Sequence, residues 1–364
     1  MIILSTRQQD RKKLTLLFFR FPAMMDTIKA IRKGWANMSK IVDLYQPGKT
    51  LLIYNPRAGR STARPQLSEI VSLLQPSFGE LVVQTTLHPG HARELAQALG
   101  KNYDTVICCG GDGTLNETID GLLAAGAKAK VGYIPIGSTN DLAKNIGVPT
   151  DLQQNARQLA RGETHGYDVG QLNGRCFTYF ASFGPGVSVS YSTPQKMKNA
   201  LGYSAYMING FLFQVIPTLR QVKPKHIKIT CDGHVIEDDF YFGAVSNAYS
   251  VAGGMFRYSE RDVRFNDGLF EVMLVRRLRH ATQIFPMLYK MHRHDYDGKT
   301  LLLLQAKDLT FEFSEPVPWT LDGEFGGNVT KAEIHVLPGA IQISCDGKQG
   351  FLTRPAATKK TESR

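Results

Sequence analysis

Short apolar runs alternate with amphipathic segments between residues 50 and 161. The apolar runs predict strands over 50–54, 81–85, 104–109 and 131–136, and helical spacing of apolar residues falls at 62–74, 92–99, 115–125, 141–146 and 151–161. Strands that alternate with helices form a parallel sheet covered on both faces, and ligands bind at the carboxyl ends of its strands. This part of the chain is therefore predicted to be an α/β domain.

After residue 168 the pattern changes to strands joined by tight turns. Asn173-Gly174 and Asp232-Gly233 each separate two strand-like runs, which is a strong signal for an antiparallel hairpin. Further strand-like runs lie at 270–275, 301–305, 309–313, 333–336 and 341–345, and helical spacing recurs near 194–219 and 280–292. We expect an α/β domain over 49–168, completed by residues 340–352, and a β-rich, antiparallel, sandwich-like domain over 169–339.

Charge is concentrated at the two ends of the chain. The 364 residues are 43% hydrophobic and 21% charged, as in an ordinary globular protein. The net charge is +11, and residues 1–50 hold ten Lys/Arg against three Asp, while residues 354–364 hold four against one Glu. The basic extension 1–48 and the basic tail 353–364 fit contact with an anionic surface, or simple solvation. The nearly neutral body argues against a nucleic acid partner.

Cysteines and apolar stretches limit the cellular setting. The chain has five cysteines, an odd number without metal-ligand spacing, and Cys108 and Cys109 lie in an apolar run. They are expected to be buried thiols in a reducing compartment. No stretch has the length and apolar character of a transmembrane helix. We therefore expect a cytoplasmic protein.

Four polar loops follow the four predicted parallel strands. They are Asn55-Pro56-Arg57-Ala58-Gly59, residues 86–92, Gly110-Gly111-Asp112-Gly113-Thr114-Leu115-Asn116, and Gly137-Ser138-Thr139-Asn140-Asp141. Glycines let backbone N–H groups approach phosphate oxygens, and the helix that opens in the third loop directs its positive end to the same place. The Asp112 carboxylate could bind Mg²⁺ beside a triphosphate. The hydroxyls of Thr86 and Ser138 could donate hydrogen bonds to phosphate or ribose. Asn140 and Asp141 could cap the helix that follows the fourth loop. Together the loops predict a triphosphate site, although any one alone fits an ordinary glycine turn.

Two acidic turns in the second domain are further candidates. In Leu321-Asp322-Gly323-Glu324, two carboxylates flank a glycine, so one could act as a base and the other orient it. Asn266-Asp267-Gly268-Leu269 fits a metal site. A plain Asp-Gly β-turn is the alternative for each.

The chain resembles the diacylglycerol kinase catalytic family, and most of all its soluble bacterial lipid kinases. The resemblance lies in four motifs that occur in this order: Asn-Pro-x-x-Gly, Gly-Gly-Asp-Gly-Thr, Gly-Ser-Thr-Asn-Asp and Leu-Asp-Gly-Glu. The resemblance covers residues 50 to 352 and implies ATP in a cleft between the two domains. It implies ATP contacts at Asn55, Pro56, Arg57, Ala58, Gly59, Thr86, Gly110, Gly111, Asp112, Gly113, Thr114, Leu115, Asn116 and Ser138. It further implies that Asp112, Asp141 and Asp168 organise Mg²⁺ and water near the phosphates.

The resemblance also implies a structural Mg²⁺ site and a proton acceptor. The metal site would use the Asp267 carboxylate with the backbone carbonyls of Arg264 and Leu269. The proton acceptor would be Glu324 as first choice, or else Asp322.

The expected function is an ATP-dependent lipid kinase that transfers the γ-phosphate to a lipid hydroxyl, with diacylglycerol as the first choice of acceptor and phosphatidic acid as product. The enzyme would act as a peripheral protein at an anionic membrane surface, and a homodimer stays open. Kinases for a sphingoid base, ceramide, a glycolipid or undecaprenol are alternatives, as is an NAD kinase, which shares the glycine loop. A non-catalytic lipid-binding regulator is the alternative of another class.

Overall fold

The computed structural model describes residues 46–59, 67–184, 223–251, 256–259, 262–278, 280, 283–348 and 350–351. The strands in these ranges are β1 (Gln46–Tyr54), β2 (Phe78–Thr85), β3 (Thr105–Gly110), β4 (Lys130–Pro135), β5 (Thr164–Leu172), β6 (Arg175–Phe177), β7 (Phe180–Phe183), β8 (Lys225–Cys231), β9 (His234–Ser246), β10 (Ser250–Val251), β11 (Phe256–Arg257), β12 (Phe270–Arg276), β13 (Leu301–Ala306), β14 (Asp308–Leu321) and β15 (Glu324–Ser344). The helices are α1 (Leu67–Leu74), α2 (His91–Leu99), α3 (Asp112–Ala125), α4 (Asp141–Asn145), α5 (Leu152–Arg161) and α6 (Ile284–His292). Residues 1–45 of the basic extension, the basic tail 353–364 and the predicted helix over 194–219 lie outside the described residues. None of the helices within the described ranges is long and apolar enough to cross a membrane.

The parallel sheet runs in the order β2-β1-β3-β4. Alternate residues of each strand face opposite sides, so Leu51 and Ile53 of β1 pack in one apolar cluster with α2 and α3. Leu52 lies between them and faces a second cluster that includes Ile70 of α1 and Leu159 of α5. The predicted parallel sheet with helices on both faces is therefore confirmed.

The second part of the molecule is antiparallel. Strands β13, β12, β9, β7, β14 and β15 follow one another as neighbours, and β8 pairs with both β9 and β14. Its core is aromatic: Trp319 and Phe183 are completely buried, with ring centroids 5.1 Å apart. The predicted β-rich domain is confirmed.

Strand β15 joins the two parts. Its first residues pair with β14, and its last residues pair in parallel with β4 through Gln342 and Ile343. The sequence pattern suggested separate strands over 333–336 and 341–345, but they form one strand with a register shift between Leu337 and Ile341, where Gly339 adopts a positive φ of 56°. The single strand persists because β5 pairs with it on both sides of this irregularity.

The cysteines lie inside the protein. All five are buried and carry free thiols. Burial is the main cause that raises the pKa of Cys108 to about 12, so its thiol stays protonated. Cys108 and Cys109 are core residues, as their apolar run predicted.

Candidate active site

The four polar loops meet at one edge of the parallel sheet. Backbone hydrogen bonds continue past the strand ends, from Asn55 N to Cys109 O at 2.9 Å and from Thr86 N to Tyr54 O at 2.9 Å. The loops therefore start side by side at the carboxyl ends of neighbouring strands, as the sequence predicted.

The first loop contacts the third and the fourth. The Asn55 side-chain amide donates to Thr114 Oγ1 at 2.8 Å, at the start of α3. Gly59 has a φ of 75°, and a Cβ on it would lie 2.1 Å from the carbonyl oxygen of Ile136. Only glycine fits at this close approach, which fixes the first loop against the others.

The third loop opens helix α3 with its backbone exposed to a ligand. A Cβ on Gly110 would lie 2.6 Å from Thr114, and one on Gly137 would lie 2.5 Å from the Cα of Gly111. A Cβ on Gly113, in contrast, would meet nothing within 4 Å. The first N–H groups of a helix lack partners within it and carry its positive end, so this open face suits an anion such as phosphate.

Asp112 caps the helix of the fourth loop. Its carboxylate accepts the backbone N–H groups of Asp141 at 3.0 Å and Leu142 at 3.3 Å, at the start of α4. The prediction that Asn140 caps this helix is wrong, because its side chain instead bonds the N–H and C=O of Gly137 at 3.0 and 2.9 Å. The carboxylate of Asp112 therefore caps α4 in place of the Asn140 side chain.

Negative charge accumulates around Asp112. Burial, the largest effect, and the neighbouring Asp141 carboxylate raise the pKa of Asp112 to about 7, although the two N–H donors lower it. Lys144 Nζ lies 3.6 Å from Asp141 Oδ1. Two crowded carboxylates beside a helix N-terminus offer the oxygen donors that Mg²⁺ prefers, so the residues present fit this ion.

The acidic turn of the second domain lies against α3. Asp322 and Gly323 have φ values of 49° and 89° and form the two-residue turn between β14 and β15. The Asp322 carboxylate is buried and accepts five hydrogen bonds of 2.6 to 3.0 Å, from Asn116 Nδ2, Thr178 N, Thr178 Oγ1, Tyr179 N and Phe180 N. The hydrogen bond from Asn116 links this turn directly to α3, the helix that opens in the third polar loop.

The two carboxylates of the turn differ in what they can do. Burial raises the pKa of Asp322, while its N–H and O–H donors lower it, and both of its oxygens are occupied as acceptors. Glu324 is exposed at the first position of β15. Burial raises the pKa of Glu117 in α3, and the nearby charge of Glu324 adds to this rise, so Glu324 lies on the same side as α3. Of the two carboxylates in the turn, Glu324 is therefore the exposed one, and Asp322 is the one whose oxygens are occupied by hydrogen bonds.

Asp168 has a different set of hydrogen-bond partners from Asp112. Its buried carboxylate accepts N–H groups of Gly268 and Gly339, each at 2.6 Å. These bonds tie Asp168 to the turn of the predicted structural metal site and to the irregular point of β15. Its described contacts thus differ from those of Asp112 and Asp141, which lie side by side.

The predicted structural metal site has an oxygen donor set. Asp267 Oδ1 accepts the N–H of Leu269 at 3.1 Å, which shapes the turn. Burial is the main cause that raises the pKa of Asp168, and the charge of Asp267 adds to it, so two carboxylates are close here. The carbonyls of Arg264 and Leu269 would complete a hard oxygen set, so these residues also fit Mg²⁺.

The other predicted contacts vary in accessibility. Pro56, Arg57 and Ser138 are exposed, whereas Leu115 is completely buried in the core, which leaves only its backbone for a ligand. Sequence reasoning missed Thr178, which anchors Asp322 from a short break between β6 and β7. The strand-like run over 175–180 gave no signal for this break.

Two family models match the chain. The model of the diacylglycerol kinase catalytic domain matches residues 49–172. The model of the YegS C-terminal NAD kinase beta sandwich-like domain matches residues 195–345.

Individual proteins are similar over most of the chain. The diacylglycerol kinase of Bacillus subtilis (strain 168) is 30% identical over 278 residues, which are 76% of this chain and 89% of that protein. The diacylglycerol kinase of Staphylococcus carnosus (strain TM300) is 29% identical over 279 residues, again 76% of this chain and 89% of that protein. A solved structure from Bacillus anthracis str. Sterne has a TM-score of 0.69 at 25% identity and covers 83% of this chain and 98% of its own. The crystal structure of a diacylglycerol kinase from the same organism has a TM-score of 0.63 at 23% identity, covers 82% of this chain and 97% of its own, and shows the shared fold.

Proposed function

Because this chain belongs to the diacylglycerol kinase family, we propose that it transfers the γ-phosphate of ATP to the hydroxyl of diacylglycerol and yields phosphatidic acid. One observation carries the proposal: Asn116 donates to Asp322 at 2.7 Å. This hydrogen bond joins the helix of the glycine loop to the turn that bears Glu324. In the proposed arrangement, the two halves of the phosphoryl transfer site lie on either side of this bond.

The proposed reaction asks the protein mainly for position and charge. The backbone N–H groups at the start of α3 hold phosphate oxygens of ATP beside the open face of Gly113. The lipid hydroxyl oxygen attacks the γ-phosphorus, the bond from this phosphorus to the bridging oxygen breaks, and ADP leaves. Glu324 accepts the proton of the hydroxyl, while Asp322 holds the turn in place.

Two Mg²⁺ ions belong to the proposal. Asp112 and Asp141 would hold one near the phosphates, and when bound it supplies positive charge that offsets the triphosphate and the crowded carboxylates. Asp267, with the carbonyls of Arg264 and Leu269, would hold the other as a structural ion. The remaining motif residues of the first and fourth loops, together with Thr86, would contact the nucleotide.

The acceptor is tested with radiolabelled ATP and a panel of lipids in mixed micelles, read by thin-layer chromatography. Diacylglycerol should give labelled phosphatidic acid, and Glu324→Gln should lower the rate of its formation by about 10²- to 10⁴-fold. Label in a sphingoid base, ceramide, glycolipid or undecaprenol instead would change the acceptor, and label in NAD would replace the lipid. No labelled product with any acceptor would contradict the proposed activity.

In the proposal, the basic extension 1–48 and the basic tail 353–364 bind the enzyme to an anionic membrane surface. Each well-placed basic residue near such a surface contributes about 1 kcal/mol of binding free energy. Deletion of residues 1–45, which stops before β1, should therefore weaken sedimentation with anionic vesicles and leave neutral vesicles unaffected; unchanged binding would contradict this role. A homodimer stays a prediction that analytical ultracentrifugation tests.

A further inference from the structure

We infer that His88, His91 and Glu94 form a surface site for a divalent transition metal of the Zn²⁺ class, at the end of the loop that carries Thr86. The two imidazoles and the carboxylate each offer one donor atom, and these atoms lie within 4.8 Å of one another. The two rings are stacked with centroids 4.7 Å apart. Among the residues that the structure describes, no other trio of His, Cys, Asp and Glu side chains is arranged in this way.

His88 has the proton arrangement of a metal ligand. Its Nδ1 lies 3.0 Å from the carbonyl oxygen of Pro89, which can only accept, so Nδ1 carries the proton. In the neutral imidazole the other ring nitrogen, Nε2, then holds a free electron pair 3.7 Å from Glu94 Oε2. A bound cation would bridge these two electron-pair donors, whereas a protonated His88 would form an ion pair with Glu94. A carbonyl that fixes the tautomer of a ligating histidine is a common outer partner in metal sites.

His91 changes one hydrogen bond when it binds. Its Nδ1 accepts the N–H of Leu87 at 3.0 Å. If Nδ1 binds the metal, its electron pair is no longer free for the Leu87 N–H, and if Nε2 binds the metal, Nδ1 carries the proton. In both cases the Leu87 N–H must bond to solvent instead, and Leu87 is 66% exposed. A tetrahedral ion with bonds of about 2.0–2.1 Å holds its donors roughly 3.3 Å apart, so the three side chains close by about 1.5 Å. His88 and Glu94 are exposed and free to make this adjustment.

The local charge also favours a cation. The site lies at the start of α2, whose positive end would repel a metal ion. Glu94 stands in the first turn of α2, and Glu117 Oε1 accepts the N–H of Gly90 at 2.9 Å. These two carboxylates offset the helix end. The donor set of two imidazoles and one carboxylate selects Zn²⁺, Co²⁺ or Ni²⁺ over Mg²⁺, and three protein donors leave a position for water.

The metal would hold the loop that carries Thr86 against α2. His88 lies in the loop after β2, whereas His91 and Glu94 belong to α2, so an ion that all three bind joins the loop to the helix. Thr86 lies two residues before His88. Occupancy should therefore hold Thr86 in place and lower the KM for ATP, a consequence that rests on the proposed function.

The site itself is tested without nucleotide, on the untagged full chain after removal of metals. Co²⁺ is titrated in excess Mg²⁺, which occupies the carboxylate sites, and the visible absorption of bound Co²⁺ is followed before Zn²⁺ is added. Buried thiols should not compete. We expect one saturable Co²⁺ equivalent that Zn²⁺ displaces. His88→Gln, His91→Gln and Glu94→Gln should each weaken it by at least about 100-fold, the upper end of the loss seen for outer partners of metal sites.

The matched control is His226→Gln. His226 is exposed and contacts Asp239 at 3.0 Å and Glu237 at 3.2 Å, but within the described ranges it belongs to no group with three donor atoms within 4.8 Å of one another. The control should bind Co²⁺ like the wild type, and all variants should keep the circular dichroism spectrum of the folded chain. Absence of a saturable signal, or an unchanged signal in His88→Gln, would overturn the site. If Zn²⁺ binds and the KM for ATP is the same with and without it, the site stands and the coupling is refuted.

Discussion

The Leu-Asp-Gly-Glu turn contains two carboxylates, and the structure separates their roles in a way that two variants test. Asp322→Asn should destabilise the protein, whereas Glu324→Gln should inactivate it without destabilising it. The contrast follows from the surroundings, because Asp322 is 6% exposed and fully hydrogen bonded and Glu324 is exposed.

The magnitude for Asp322 comes from the groups that it satisfies. Three backbone N–H groups, one hydroxyl and one side-chain amide donate to its carboxylate. A buried polar group that loses its partner costs about 1–3 kcal/mol. Asparagine keeps one acceptor oxygen and turns an NH₂ group toward donors, so two to three groups lose their partners, a loss of roughly 2–9 kcal/mol. This approaches the whole stability of a typical domain, about 5–15 kcal/mol.

For Glu324→Gln we expect a change in the free energy of unfolding within about 0.5 kcal/mol, as at other exposed positions. Loss of a general base should lower kcat by about 10²- to 10⁴-fold, which corresponds to roughly 2.7–5.5 kcal/mol in the activation free energy. Urea unfolding followed by circular dichroism measures the first quantity, and phosphatidic acid formation measures the second. A stable, inactive Asp322→Asn protein together with an active Glu324→Gln protein would refute the assignment of roles.

Further predictions concern the loops, the metal and pH. Gly59→Ala should raise the KM for ATP or prevent folding, because its Cβ would meet a carbonyl oxygen at 2.1 Å; an unchanged KM would contradict the loop packing. Asn55→Ala, which removes the 2.8 Å bond to Thr114, should cost about 1 kcal/mol of stability and raise the KM for ATP, as urea unfolding and initial rates would show. EDTA should abolish turnover, and Mg²⁺ should restore it. Burial raises the pKa of Asp297, but Lys290 and three backbone N–H groups lower it by more, so the net shift of this pKa is downward. The Asp297 carboxylate therefore stabilises the fold at pH values above its unfolded pKa. This stabilisation is lost as the pH falls through the folded pKa. Asp297→Asn should therefore reduce stability by about 1–3 kcal/mol at pH 7 and by less in acid, in urea unfolding at both pH values.

The predictable part of the fold is the part with local signals. The apolar runs of β1 and β3 and the glycines after them are legible because buried parallel strands are continuously apolar and sharp turns need glycine. β15 was read as two strands because Pro338-Gly339 resembles a turn. Pairing with β5 on both sides of this dipeptide overrode the local signal.

The surroundings of the carboxylates could not be predicted from the sequence, because they depend on contacts between residues far apart in the chain. Asp168 resembles a phosphate-site aspartate in its motif, yet its partners Gly268 and Gly339 are 100 and 171 residues away. Asp322 is likewise satisfied by residues 142 to 206 positions away. No local pattern distinguishes a carboxylate that will be saturated by such donors from one that will stay open.

The saturation of Asp322 explains why an Asp-Gly turn is a suitable support for a reactive carboxylate. A two-residue hairpin turn fixes the backbone of its neighbours, but an exposed turn alone would let the hairpin tip move. Here the first residue of the turn is bonded to both the β6–β7 break and Asn116 of α3. Glu324 follows two residues later, so its backbone is held relative to the phosphate-binding helix while its side chain stays exposed. In the proposed reaction, the same hydrogen bonds that occupy the oxygens of Asp322 would therefore give Glu324 a fixed position from which to accept the proton.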